Sequence, residues 1–498
     1  MFKHLTFWLV VSIVSLAINC TDHPENLNDD PVRQSLDFQP WEATEQPAGS
    51  AAYLGLGPYA KCLCTAVFVS GRKPEEFVTN NDGIILEKSW VDQVTWSIDY
   101  NLHQVTAFLG DTVYRTATFT GDQGCILDVA KGMHFTPVPV KSSLPPADSM
   151  DWPMGDHISK LPTTYDSLKL KEVARAAFDP AAHTAAFLVI HHGRIILEHY
   201  AEGIDKDTQL ESWSMGKSIT GTLIGRLIAQ GKLSLDQEAP VPEWQQPGDP
   251  RGRITIRNLM QMSSGLRFPS FGRTRDSAVA GSTSYDGELP MAQLTHVYPY
   301  TGSINVFDFA VKRPLEFAPG SKGAGQYRNC DPLTLGYIIR RTVEADGRNY
   351  WTWPQEELFD QIGIRKQLLE TDRWGNFIMT GYDFGTARNW GRLALLYLQR
   401  GVWNGNQLLP EGFTDFVATP APAWIDPVYG GMFWLNTDGK FNLPKDAYAM
   451  MGGGGQNVIV VPSLDLAIVR MGHSKGAKFA SKALNEALKS LLPALPSD

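Results

Sequence analysis

In the stretch ESWSMGKSIT, Ser214 stands three residues ahead of Lys217, where an apolar run opens. Residues three apart on a helix share a face, roughly 5 Å apart along the axis, so the amine can reach the hydroxyl. A serine hydroxyl is a poor nucleophile until a base removes its proton. A lysine in a partly dry site loses affinity for its own proton and can act as that base. Acyl transfer through a serine ester is the chemistry this spacing offers. The helix that must carry the pair is written in Ile219, Leu223, Leu227 and Ile228 and stops at Gly231. A plainer use for Ser214 is to cap free backbone N–H groups at that helix start. The chain holds another Ser-x-x-Lys, from Ser70 to Lys73, but it runs into Pro74 and has no helix behind it.

An acyl-transfer site needs two more parts. Tyr327-Arg328-Asn329 is the chain's one Tyr-x-Asn. Tyr327 is placed to shuttle a proton to the leaving group, and Asn329 to hold the lysine or a substrate amide. Gly452 to Gly455 form a glycine run at the entrance to an apolar hairpin. Glycine lets main chain approach a substrate closely, as an oxyanion site requires. A phosphate loop does not fit, because no Lys-Ser/Thr follows.

The elements around these residues divide the chain. Residues 50–135 read as a small β-rich module, with strands expected in TAVFVSG, DQVTWSIDYN, HQVTAFLG and DTVYRTATFTG. Residues 136–164 are a proline-rich linker. From residue 165 to 498 a second unit begins with a helical SLKLKEVARAAF and a hairpin turning at His192-Gly193. It ends with a hairpin turning at Pro462 to Asp465 and an amphipathic closing helix. Hairpins at both ends imply an α/β (α+β) fold: one antiparallel sheet flanked by helices, with a helical region inserted.

With 498 residues, 43% hydrophobic and 19% charged, the chain reads as globular. A net charge of −9 argues against nucleic acid and against acidic membranes as partners. Residues 1–19 resemble a signal peptide: Lys3 and His4, an apolar core from Leu5 to Ala17, and, in Ser15-Leu16-Ala17, small residues where a signal peptidase cuts. A polar linker, residues 20–49, follows. Cys20 resembles the lipid-modified cysteine of bacterial lipoproteins, although Asn19 departs from that pattern. The expected location is therefore periplasmic or secreted, with a lipid anchor as the one route to a membrane. In an oxidising compartment a bridge from Cys62 or Cys64 to Cys125 is open, and so are free buried thiols; Cys64 with Cys125 is the pairing taken forward.

The three motifs, in this order, resemble the serine β-lactamase and penicillin-binding-protein superfamily. The hydrolase branch is nearer, with its cephalosporinase-like esterases and 6-aminohexanoate-oligomer hydrolases. SWSMGKSITGTLIG, ITIRNLMQMSSGL, PLEFAPGSKGAGQYRN and GGGGQNVIVVPSLDLAIVRMG carry the likeness over about residues 165 to 492. It implies Ser214 as the acylated nucleophile, Lys217 as base and Tyr327 as proton relay. It also implies an oxyanion hole from the N–H groups of Ser214 and Gly455, with Gly454 the neighbouring register, and no metal or organic cofactor. β-Lactamases place Lys or His, a small residue and Gly on the last strand, and here that slot reads Gly452-Gly453-Gly454. The missing cation disfavours penicillin and peptidoglycan substrates and suits a small ester or amide.

Two rivals remain. Ser212-Trp213-Ser214-Met215-Gly216 nearly matches the α/β-hydrolase elbow, with His473 late in the chain, but the polar GIDKDTQLES is unsuited to the buried strand that elbow needs. The other is a non-catalytic wall-binding or sensor protein of the same fold, which predicts damage to the Ser/Lys/Tyr set. His191, His192 and His199 lack a carboxylate at zinc-site spacing. Trp351, Trp353, Trp374 and Trp434 are expected in the core rather than along a cleft.

Overall fold

The sequence TAAFLVIH, Thr184–His191, is apolar on both alternations, and such a strand needs cover on both faces. The computed structural model, which describes residues 47–81, 88–268, 291–293 and 295–496, supplies that cover. The expected signal peptide and Cys20 lie outside the described residues.

The chain runs through helix α1 (Ala51–Phe68) and a meander of β1 (Val94–Asp99), β2 (Gln104–Leu109), β3 (Val113–Phe119) and β4 (Cys125–Leu127). Helix α2 (Ser167–Ala177), β5 (Thr184–His191), β6 (Arg194–Tyr200) and the short β7 (Leu210–Glu211) follow. Then come α3 (Gly216–Ala229), α4 (Cys330–Ala345), β8 (Leu368–Leu369), β9 (Asp383–Gly385) and α5 (Ala387–Leu398). A small hairpin of β10 (Val402–Trp403) and β11 (Asn406–Gln407) leads to β12 (Trp434–Leu435), β13 (Tyr448–Gly452), β14 (Gln456–Val461), β15 (Leu466–Gly472) and α6 (Ala477–Leu491).

The main sheet is antiparallel with the order β12-β13-β14-β15-β5-β6, so the two ends of the stretch from residue 165 onward meet at β15 and β5, as the hairpins implied. Phe187 and Val189 of β5 share a core with Leu170 and Val173 of α2 and Leu484 and Leu488 of α6. Leu188 and Ile190 point the other way, into the larger core with Leu393 and Leu396 of α5. Each such side chain contributes about 1.5–3 kcal/mol on burial, which fixes the strand's register between two layers.

One expected strand is absent. Residues 65–71 form the end of α1 and the turn beyond it, not a strand. Ser50 caps α1 by accepting from the Tyr53 N–H at 3.2 Å. Leu56 and Leu63 of α1 join the same core as Ile219 and Leu223 of α3. The β-branched run in its last turn is a weak local preference, and burial overrides it. Helix α1 is tied in further by a Cys64–Cys125 disulfide and by Lys61, whose Nζ lies 2.8 Å from Glu370 Oε2. Cys62 and Cys330 are free and buried.

Candidate active site

After β7 the chain must turn sharply to start α3. Trp213 makes that turn at φ 49°, a left-handed conformation that costs a non-glycine residue about 1–2 kcal/mol. Its ring is held edge-on to Tyr300, centroids 6.1 Å apart. A short 3-10 turn, Trp213–Met215, then feeds α3. Ser214 does not cap the helix: Met215 occupies the cap position, and no side chain caps it. The serine is instead half-buried and open to the site.

Lys217 is 1% exposed, and its Nζ lies 2.9 Å from Ser214 Oγ and 2.9 Å from the carbonyl oxygen of Thr380. Burial holds its ammonium well below the usual value, opposed by the charge of Asp383. An amine in this state has a lone pair to accept the serine proton. Tyr327 is half-buried beside it, and its ring centroid is 4.9 Å from Lys217 Nζ. Burial raises the tyrosine hydroxyl's pKa, while a hydrogen bond with Ser214 pulls the other way. The three side chains expected together are therefore together.

The lysine's holder differs from expectation. Asn329 is fully buried and donates through Nδ2 to the His296 carbonyl at 2.7 Å. Holding Lys217 falls to Thr380, whose carbonyl also accepts from the Tyr300 hydroxyl at 2.6 Å.

The four glycines face two ways. A Cβ placed on Gly452 would stand 2.1 Å from the Ser212 carbonyl, and one on Gly453 would face the Trp213 ring at 3.6 Å. Those two glycines lie against the nucleophile segment. A Cβ on Gly454 would face Gln456 and Ser474, and one on Gly455 would strike Ala480 at 2.3 Å. The Gly454 and Gly455 carbonyls accept from Arg470, at 3.0 and 2.8 Å. Gly455 thus packs toward α6, while Gly452 and Gly453 lie against Ser212 and Trp213. Strand β13, Tyr448-Ala-Met-Met-Gly452, brings no cation there.

Trp434 is half-buried and packs against the core while also reaching the site, its ring 5.2 Å from Tyr327 and 6.2 Å from Trp424. Trp353 is buried, as expected. His473 is engaged elsewhere, with Arg72 at 3.4 Å and Glu76 at 3.9 Å. Thr380, Asp383 and Trp434 are the site residues that sequence reasoning missed; a buried acid in MTGYDFG was the available signal.

The Beta-lactamase family profile matches residues 171–491, which includes every residue of this cluster. The chain belongs to the β-lactamase family. It is 22% identical over 315 residues to the 6-aminohexanoate-dimer hydrolase of Paenarthrobacter ureafaciens, spanning 58% of this chain and 72% of that protein. It is 25% identical over 317 residues to an uncharacterised protein of Alkalihalophilus pseudofirmus, spanning 59% and 84%. A solved structure from Bacillus anthracis, provisionally named a 6-aminohexanoate-dimer hydrolase, superposes with a TM-score of 0.51 at 22% identity, covering 69% of this chain and 90% of that one. That likeness bears on the fold.

Proposed function

We propose that the protein is a serine hydrolase that cleaves a small ester or amide in two steps, acylation of Ser214 and then attack by water. The observation that carries this reading is the 2.9 Å approach of Lys217 Nζ to Ser214 Oγ in a buried pocket that favours the neutral amine. Lys217 takes the Ser214 proton as the oxygen attacks the carbonyl carbon. Tyr327, whose ring centroid lies 4.9 Å from Lys217 Nζ, relays that proton to the leaving group. The negative oxygen of the tetrahedral intermediate is held by the Ser214 N–H, near the start of α3, and by the N–H of Gly453. Lack of a cation on β13 favours substrates without the carboxylate that β-lactams and peptidoglycan stems present. Trp434 offers an apolar wall to an acyl or alkyl arm. The Cys64–Cys125 bridge supports an oxidising compartment, in keeping with export.

An active-site-serine probe of the fluorophosphonate type tests the assignment. Covalent labelling that vanishes in Ser214→Ala and persists in His473→Ala is expected. Folded protein that takes no label would favour a non-catalytic binder. Fast cephalosporin turnover with poor cleavage of short p-nitrophenyl esters would overturn the substrate preference.

A further inference from the structure

Against the first turn of α3, beside Gly216, lies a buried acid that the two-step scheme does not use. Asp383 is fully buried at the start of β9. The Ser212 hydroxyl hydrogen-bonds to its Oδ2 and lies 2.5 Å from its main-chain oxygen. The Ser212 N–H donates to that same main-chain oxygen at 3.1 Å. The other carboxyl oxygen, Oδ1, has no hydrogen-bond partner among the described residues. It is pressed onto the first turn of α3, where a Cβ on Gly216 would stand 2.2 Å from it. Gly216 adjoins Lys217, and Thr380, which holds the amine, is three residues before Asp383 on the same turn of chain. A buried carboxyl with a bare oxygen is costly when ionised, and burial pushes Asp383 up to about 8. Lys217 is pushed down by the same cause. The charged or titratable groups facing Asp383 are Lys217 from α3, Glu370 from beside β8 and Tyr300; His296 faces Lys217.

We propose that Asp383 and Lys217 hold one proton between them, so that Asp383 governs the pH at which the amine is free to accept the Ser214 proton. With that proton on the carboxyl, the amine is neutral and competent. With it on the amine, or with both groups protonated at low pH, the base is blocked; loss of protons as the pH rises frees the amine, and an ionised Asp383 delays that by stabilising the ammonium. Two groups so coupled titrate as a pair, and the neutral-amine form fills in over a broad pH span. Asp383 touches no substrate; it is a positioning residue acting through Lys217. The proposal rests on the Ser214/Lys217 reading above.

Asp383→Asn keeps the shape and removes the proton site. The acid limb of kcat/KM for a p-nitrophenyl ester is expected to move to lower pH and sharpen to a single step. A shift of about one pH unit raises the rate on the limb, relative to its own plateau, about tenfold. A limb that stays in place or moves upward, with only the plateau lowered, overturns the proposal and leaves Asp383 a packing residue. Should Asp383→Asn unfold, judged by circular dichroism, Ser212→Ala takes its place. It removes the hydroxyl that stabilises the carboxylate, raises the acid's hold on its proton, and should shift the limb the same way by less; an unmoved limb overturns the proposal equally. Ser214→Ala that retains ester turnover would instead defeat the nucleophile assignment, so the two failures are distinct.

Discussion

Lys217 Nζ lies 2.9 Å from the Thr380 carbonyl oxygen, the same distance that separates it from Ser214 Oγ. A neutral amine has two N–H donors and one lone pair. With one donor spent on the Thr380 carbonyl, the lone pair is free to face the serine hydroxyl. Lys217→Met keeps the length of the side chain and removes the lone pair. Loss of a positioned base is worth about 100- to 10,000-fold. Hydrolysis of a p-nitrophenyl ester should fall by about that factor, while the thermal midpoint stays within a few degrees. A variant that keeps a tenth or more of wild-type kcat/KM would remove Lys217 from the reaction.

The same lysine sets the sign of the pH dependence. Its pKa in the folded protein is well below the usual 10.5, with burial as the main cause. The base is therefore absent at low pH and present above the lowered pKa. The pH profile of kcat/KM should rise on its acid side and reach a plateau well before pH 10.5 is reached. A rate that keeps climbing tenfold per unit up to pH 10 would mean an amine with ordinary proton affinity.

Much of this site was legible because its first parts are local. Ser214 and Lys217 are one helical turn apart, and the strands around residues 184–200 and 456–472 announce themselves as apolar runs. Tyr327 was legible through its pairing with Asn329, but Asn329's own contact, the His296 carbonyl, was not. Thr380 is 163 residues from Lys217 in sequence, so only chain closure shows that it holds the amine. The glycine run gave no register: four identical residues carry no side chain to say which faces the serine. Helix α1 was misread at its end because four residues of strand-like sequence say less than the core they pack into.

Glu370 joins helix α1 to the rest of the fold. Its carboxylate receives the Cys125 N–H at 2.8 Å and the Thr65 hydroxyl at 2.5 Å, and pairs with Lys61 at 2.8 Å, both side chains being buried. Glu370→Gln preserves the size and leaves a buried ammonium uncompensated. Breaking one side of a buried pair costs about 3–5 kcal/mol. Denaturant unfolding should show a loss of that order, and Lys61→Met in the same chain should recover most of it. If Glu370→Gln alone unfolds at the wild-type midpoint, the pair is not what docks α1.

Gly216 makes the last test, because it is the one residue between the serine and lysine that must have no side chain. A Cβ there would lie 2.2 Å from Asp383 Oδ1 and 2.2 Å from the Met379 carbonyl oxygen. The second obstacle is main chain and cannot swing aside. It also adjoins Thr380, so relief of the clash moves the group that holds Lys217. Alanine is favoured over glycine in a helix by about 1 kcal/mol, so helix propensity alone predicts stabilisation. Overpacking predicts the reverse, a loss of about 1–3 kcal/mol. A misplacement of about 1 Å at a reacting group can cost on the order of 100-fold in rate. Gly216→Ala should therefore lower kcat by about that much with KM little changed. Gly221→Ala on the same helix is the control, since its Cβ would meet only the Met432 and Met260 side chains, at 3.1 Å or more. If both variants are equally active, the Asp383 turn does not press on the nucleophile helix as the structure has it.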